Sequence, residues 1–493
     1  MMRASARALL VWVVPPLAFG LLLVLFFPFR YRIEFDTDEG INAIKAMLVL
    51  RGYHLYSDIW SDQPPFFTYL LASWFRLFGL SLTAGRGLVL LLSMGVVGFA
   101  AAYLRKAWGA LAAAFGVLSL LLLPYYARLS VSLMIGLPSI ALAMASFYFL
   151  HEWHARRGMT NLLLSALLLG LSILTKGFSV VLAPIWFCGI VLTVARSRGE
   201  GPPGWRRWLG PALWIGILAL LALIAVAGVI GPQHLDEIIG VHLQSVQSEA
   251  FDLDPTHRTL ESYLVESLPI FILALVGVWQ SIRHRQWTAL YLGGWVVLGY
   301  VMLKAAHPTW YHHQLFLTVP AAVLAAIAVA AAIDDLRRPS AGGRRALPTA
   351  LAVACLGLYL WFLALRVPGT VDGLEARLPN FTGPRPGEEA ERQLVALMAD
   401  HAAQTHWVFT DRPIFAFLAG LPIPPNLAVI TQKRMATGGL TQDEIRQTLE
   451  AYAPEMILNT RFDLPAVRAY MQTRNFTRID ETLKYRLYFR RPP

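Results

Sequence analysis

Eleven apolar stretches of spanning or near-spanning length punctuate this chain, at about 8–28, 85–104, 109–124, 133–150, 161–175, 178–195, 209–231, 263–281, 287–303, 314–333 and 347–366. A segment that crosses lipid must pair its own backbone N–H and C=O groups, and an apolar helix of about 20 residues does so over the hydrocarbon thickness. The pattern therefore predicts a polytopic α-helical membrane protein with about eleven transmembrane helices. Composition agrees: 56% of the 493 residues are hydrophobic and 15% charged, more apolar surface than one soluble core can hide. Residues 8–28 resemble a signal peptide in length, but no small-residue cleavage site follows and Phe29-Arg30-Tyr31-Arg32 comes next, so the segment reads as a retained first span.

A net charge of +11 would suggest nucleic acid in a soluble protein. Here the basic residues sit in short clusters between apolar runs, which is a topology signal, and a nucleic-acid partner is set aside. With Arg3 and Arg7 inside, every second connection is basic: Arg105-Lys106, Arg156-Arg157, Arg196 to Arg207, Arg283 to Arg285 and Arg337 to Arg345. This places the N-terminus in the cytoplasm and suits a plasma (inner) membrane. The connections 29–84, 125–132, Lys176-Gly177, 232–262 and 304–313 then face outward, with everything after 367. Cys188 and Cys355 both lie in apolar runs, where they pack rather than pair.

Two parts of the first outer loop, Asp38 to Arg51 and Phe66 to Phe78, read as helices lying on the membrane, each apolar on one face and too short to span. Beyond 367 the composition turns to Pro, Gly, Asn and charge. The expected division is a transmembrane part at 1–366 that includes the outer loop 29–84, a linker at 367–385, and a small soluble extracytoplasmic α/β domain at 386–493. In that domain His406 to Thr410, Met456 to Asn459 and Tyr485 to Arg490 read as strands, and Glu389 to His401 and Gln442 to Tyr452 as helices. Thr441-Gln442-Asp443-Glu444 is a capping-box signature for the second helix.

The outer loop opens Glu34-Phe35-Asp36-Thr37-Asp38-Glu39-Gly40, four carboxylates directly after a membrane exit. One reading is a solvated loop in which Asp38 or Thr37 caps the next helix. The other is a general base or cation site at headgroup level, and a rigidly held cap serves both. Further on stands Tyr53-His54-Leu55-Tyr56-Ser57-Asp58, then Asp62-Gln63-Pro64-Pro65 before the second interfacial helix.

The order of these motifs resembles the C-type (GT-C) membrane glycosyltransferases, more narrowly the relatives of protein O-mannosyltransferases (dolichyl-phosphate-mannose-protein mannosyltransferases) and lipid A aminoarabinose transferases. Phe78-Gly79 with Ala84-Gly85-Arg86, Leu174-Thr175-Lys176-Gly177, and the loop Lys304-Ala305-Ala306-His307-Pro308-Thr309-Trp310-Tyr311-His312-His313 extend the resemblance over roughly 1–333. It implies a glycosyltransferase, hexosyl or pentosyl, moving one sugar from a polyprenyl-phosphate donor to an acceptor hydroxyl on a protein, lipid or glycan at the outer face, with inversion.

Under that resemblance Asp38 takes the base or metal position, with Asp36 as the competing choice. Asp62, in the Asp-x-Pro-Pro motif, and Glu39 are candidate acceptor-binding or metal carboxylates, and a divalent cation at Asp38 and Asp62 is the implied cofactor. Without the resemblance, Asp62 is a turn carboxylate before two prolines. Lys176 is a cation at the outer end of an apolar run, either snorkelling to headgroups or meeting the donor phosphate. Lys304, His307, Tyr311, His312 and His313 suit a phosphate site better than a metal site, because ligands so close in sequence rarely close a coordination shell alone. Arg128 in Tyr125-Tyr126-Ala127-Arg128 is a further phosphate candidate, or part of an interfacial aromatic belt.

The sequence departs from the family at Leu129-Ser130-Val131-Ser132-Leu133-Met134, where some relatives carry an acidic residue that completes a metal site. Asp236, Glu237 and His242 could substitute, and a solvated helix face explains them equally well. Phe409-Thr410-Asp411-Arg412-Pro413 sits at an expected strand-to-helix junction, with Asp411 as helix cap. The alternative function is a transporter or lipid-linked-sugar flippase. It calls for charged residues near the bilayer midplane and broken helices, features this sequence does not show.

Overall fold

The computed structural model describes residues 2–196, 204–246, 260–306, 309–337, 346–373, 379–383, 388–480 and 485–490. Each predicted span coincides with a helix: Met2–Phe26, Leu82–Trp108, Ala110–Leu122, Gly136–Arg156, Met159–Thr175, Leu182–Arg196, Leu209–Ala225, Leu268–Arg283, Ala289–Ala305, Leu315–Arg337 and Ala346–Gly373. Five helical segments among the described residues are long and apolar enough to cross a membrane by length and composition. The Ala346–Gly373 helix runs into the stretch expected as linker.

The Leu315–Arg337 helix is the axis of the bundle, buried on every side from Leu315 to Ala332. Its alanines make this possible, because helices approach closely where side chains are small. At the tightest crossing, a Cβ on Gly277 would lie 2.0 Å from the Leu324 carbonyl oxygen, so only glycine fits. Pairing the backbone through such helices leaves the loops as the place for charge.

Two shorter helices, Thr37–Leu50 and Phe66–Phe78, form in the first outer loop as predicted. The second stops at Gly79, whose φ of 90° is left-handed backbone that favours glycine. In the C-terminal region, strands β1 (Val408–Thr410), β2 (Met456–Leu458), β3 (Phe476–Arg478) and β4 (Leu487–Arg490) form one sheet in the order β1-β2-β4-β3. The β1–β2 pair is parallel and the other two pairs antiparallel. Helices Glu389–Asp400 and Gln442–Tyr452 appear where expected, and the capping box of Thr441 and Glu444 is formed.

The region does not stand apart from the outer loop. Buried apolar residues of both, such as Ile44, Met47, Trp60 and Phe75 with Ile414, Phe417 and Leu427, belong to one continuous core. Contact is closest at Gly40, where a Cβ would lie 2.5 Å from the Ile414 nitrogen. Asp411 is not a helix cap. It is buried and accepts hydrogen bonds from the Thr460 nitrogen (2.9 Å), Thr460 Oγ1 (3.1 Å), the Arg461 nitrogen and the Phe462 nitrogen (2.9 Å). It thus pins the end of β1 to the loop after β2, because a carboxylate facing several N–H donors satisfies more groups there than at a helix start.

Candidate active site

The site grows from the first turn of the Thr37–Leu50 helix. Asp36, in extended backbone, is its N-cap and accepts from the Asp38 nitrogen at 3.0 Å, so the cap lies just before the Thr37 or Asp38 expected. Its other oxygen, Oδ2, accepts from the Tyr311 hydroxyl at 2.6 Å. Arg128 donates to the Phe35 carbonyl, and its guanidinium carbon lies 5.6 Å from the Tyr311 ring centroid. Asp36, Tyr311 and Arg128 therefore brace the loop against two others.

Glu39 turns the opposite way, into the protein. It accepts from Arg86 Nε (2.9 Å) and Nη2 (2.7 Å), from the Phe35 nitrogen (2.6 Å) and from the Leu133 nitrogen (2.7 Å). Arg86 also donates to the carbonyls of Phe29 (2.7 Å) and Arg32 (2.6 Å), and both side chains are fully buried. A buried ion pair of this kind holds only where the remaining donors and acceptors are also met. Glu39, expected with the site carboxylates, is thus fully engaged in locking the loop to the bundle.

Asp38 differs from both neighbours. Among the described residues its carboxylate makes no hydrogen bond and no ion pair within 4 Å. Burial first, then Asp36 and Asp62, push it up to about 7, against the pull of Lys176 and Arg461. A half-buried carboxylate without partners, titrating near neutrality, is the form a general base takes.

Asp62 lies close enough to raise that value. Lys433 Nζ donates to its Oδ2 at 3.3 Å, and His242 Nε2 stands 3.7 Å from the same oxygen. Burial raises the Asp62 carboxyl, but Lys433, His242 and Lys45 outweigh it and hold the group below its usual range. Lys45 is buried with its ammonium 3.4 Å from Ser61 Oγ, and burial lowers it while Asp62 and Asp38 pull it back up.

Lys176 follows the Met159–Thr175 helix, with its ammonium 4.8 Å from the centroid of Phe178. Burial lowers it to about 8, while Asp38 and Asp62 oppose the fall. The structure thus brings Asp36, Asp38, Asp62, Lys176 and Tyr311 to one end of the bundle. His313 packs edge-on to Phe178 at 5.0 Å and accepts from the Trp310 nitrogen at 3.2 Å. His312 lies edge-on to it at 4.5 Å, and no described residue bonds to its buried Nδ1. Lys304 is not part of the cluster: its exposed ammonium pairs with Glu261. His307 lies outside the described residues.

Two contributors were missed in the sequence, Lys45 and Lys433. Lys45 carried a signal, a lone cation on a helix with Ile41, Ile44, Met47 and Leu48, two turns after Asp38 on the same face. His242 reads from sequence equally as a substitute metal-site residue or as part of a solvated helix face, and Lys433 carries no local signal at all. A divalent cation held by Asp38 and Asp62 does not fit this donor set. Asp62 Oδ2 already faces the Lys433 ammonium, and the described residues contain no group of three His, Cys, Asp or Glu able to hold an ion.

Residues 62–230 match the family model described as dolichyl-phosphate-mannose-protein mannosyltransferase. Among solved structures, ArnT from Cupriavidus metallidurans bound to undecaprenyl phosphate is similar with a TM-score of 0.64 at 18% identity, covering 97% of this chain and 98% of that one. The Archaeoglobus fulgidus oligosaccharyltransferase in its apo form matches with a TM-score of 0.57 at 12% identity, over 92% of this chain and 69% of that one. The archaeal oligosaccharyltransferase AglB from Archaeoglobus fulgidus, in complex with an inhibitory peptide and a dolichol-phosphate, matches with a TM-score of 0.57 at 11% identity, over 93% of this chain and 70% of that one. No curated protein matches the chain in sequence. The chain is a multi-pass membrane protein with the fold of the C-type membrane glycosyltransferases, as the order of its loop motifs led us to expect.

Proposed function

We propose that the protein is a glycosyltransferase that moves one sugar from a polyprenyl-phosphate donor to an acceptor hydroxyl at the outer face of the plasma membrane. The observation that carries this reading is the unpartnered Asp38 carboxylate, set between acidic and basic groups at one end of the bundle. The lipids named with two of the similar structures, undecaprenyl phosphate and dolichol-phosphate, support the donor class. Orientation rests on the basic clusters such as Arg105-Lys106 and Arg156-Arg157 at the far ends of their helices.

In this reading the acceptor oxygen attacks C1 of the sugar while Asp38 takes its proton. The bond from C1 to the phosphate oxygen breaks with its electron pair on the phosphate, and the Lys176 ammonium meets the growing charge. Direct displacement inverts C1 and releases polyprenyl phosphate. Asp36 is the weaker choice for base, because the Tyr311 hydroxyl and the Asp38 nitrogen already occupy its oxygens.

The test uses the purified protein in bilayer vesicles with a polyprenyl-phosphate sugar and candidate acceptors. The expected result is release of polyprenyl phosphate in step with glycosylated acceptor. Movement of intact donor across the bilayer without release would reverse the reading in favour of a flippase.

A further inference from the structure

The C-terminal region reaches the acidic loop through one continuous chain of contacts. Arg412 Nη2 donates to Glu34 Oε2 at 2.5 Å, and its Nη1 donates to the Tyr485 hydroxyl at 3.1 Å, which in turn donates to Glu391 Oε1 at 2.9 Å. Two residues on, the Ile414 nitrogen meets Gly40, so residues 411–414 lie along the first turn of the Thr37–Leu50 helix. Asp411, buried at the start of this run, gathers the nitrogens of Thr460, Arg461 and Phe462. Three consecutive N–H groups on one carboxylate fix the backbone at Arg461. The residue is thereby held beside Asp38, close enough for its charge to act on that carboxyl.

The Arg461 side chain itself is exposed, with its guanidinium carbon 5.0 Å from the ring centroid of Phe462. Among the described residues it makes no side-chain hydrogen bond and no ion pair within 4 Å. Other exposed arginines of the region are taken: Arg446 pairs with Glu450 at 3.2 Å, Arg468 with Asp463 at 2.8 Å and Arg478 with Asp480 at 3.1 Å. Asp463 stands two residues from Arg461 and nevertheless turns to Arg468. A guanidinium with open donors presents a planar fork that fits the oxygens of a carboxylate or phosphate.

Asp38 therefore feels two cations of different origin. Lys176 follows a helix of the bundle, on the side from which a lipid-borne phosphate arrives. Arg461 comes from the loop after β2 and is open to water. The anion left for Arg461 is then one carried by the other substrate. We propose that Arg461 binds an anionic group, carboxylate or phosphate, on the acceptor, beside the hydroxyl that Asp38 deprotonates. The assignment to the acceptor rests on the transferase reading, whereas anion binding at Arg461 does not.

The experiment uses the full-length protein in detergent, with phenyl phosphate as the probe anion. Phenylglyoxal labels accessible guanidinium groups, and peptide mass spectrometry reads the rate at each arginine. Arg461 is expected to label, and phenyl phosphate to slow its labelling severalfold while leaving Arg446 unchanged. The protection should persist in Lys176→Met, because the site is not that of the donor phosphate. Transfer assays then compare acceptor pairs that differ only in a carboxylate or phosphate beside the hydroxyl. Wild type should favour the charged member about tenfold in kcat/KM, a preference that Arg461→Ala erases through the acceptor KM and Arg461→Lys keeps in part. The donor KM should stay within about twofold of wild type in both variants.

Labelling of Arg461 that phenyl phosphate does not slow would overturn the proposal. Protection lost in Lys176→Met would overturn it too, by assigning the anion to the donor. So would a preference for charged acceptors that survives in Arg461→Ala, a variant whose folding is checked by melting. Labelling is read without sugar transfer, so its failure leaves the proposed function standing. Absence of transfer from every preparation, with protection intact, would sink that function and with it the assignment to an acceptor, leaving Arg461 as an anion site.

Discussion

The two sides of the first turn of the Thr37–Leu50 helix differ in how completely their charges are paired. On the bundle side, Glu39 and Arg86 satisfy one another and five backbone groups, with no exposure to water. On the other side, one residue earlier, the Asp38 carboxylate makes no bond among the described residues and sits with Asp62 and Lys176 at the end of the bundle. A saturated pair can only hold a shape, because any new partner must displace an existing one. An unsaturated carboxylate can take a proton from a substrate, and the saturated pair beside it keeps it in place.

That contrast predicts different losses on the two sides. Asp38→Asn should lower transfer about 10²–10⁴-fold with melting unchanged, since a positioned base contributes on that order. A melting loss that explains the missing activity would break the contrast. Arg86→Ala should do the reverse, lowering stability by about 3–5 kcal/mol, because it strands a buried carboxylate. Thermal unfolding in detergent reads this, and a change under about 1 kcal/mol would show that the lock carries little. Gly40→Ala sharpens the comparison from the C-terminal side. Its methyl would press on Ile414, and about 1–3 kcal/mol of destabilisation is expected, measurable by the same melts. The smallest effect belongs to Lys304→Ala. Its exposed pairing with Glu261 lies outside the cluster, so the KM for donor should stay within about twofold of wild type.

How much of this was legible depended on the range of the interactions. The spans, the two helices of the first outer loop and the capping box of Thr441 and Glu444 follow from local hydrophobic period and cap chemistry, and each is legible in the sequence. Strand β3, Phe476–Arg478, was not: it is three residues long, only partly buried, and lacks a strong alternating pattern. Within the acidic run, sequence could not distinguish Asp36, Asp38 and Glu39, because their roles are set by partners far along the chain: Tyr311, none, and Arg86. The same holds for Lys433, which reaches Asp62 only through tertiary packing of the C-terminal region. The family resemblance implies a divalent cation between Asp38 and Asp62, whereas the cations beside Asp62 in the structure are lysines, Lys433 and Lys45.

The central claim is that one carboxylate at this end of the bundle is unpartnered and acts as the base. Asp38 must be deprotonated to act, so kcat/KM should rise as pH passes about 7. Lys176 must stay charged to meet the phosphate, so the rate should fall above about 8. The direct measurement is an infrared titration of protonated carboxyl groups in wild type and Asp38→Asn, run beside the wild-type pH–rate profile. A carboxyl band with a midpoint near 7, absent from Asp38→Asn, is expected to disappear over the same pH range in which the rate rises. A band that survives in Asp38→Asn, or a rate that stays flat through that midpoint, would contradict it.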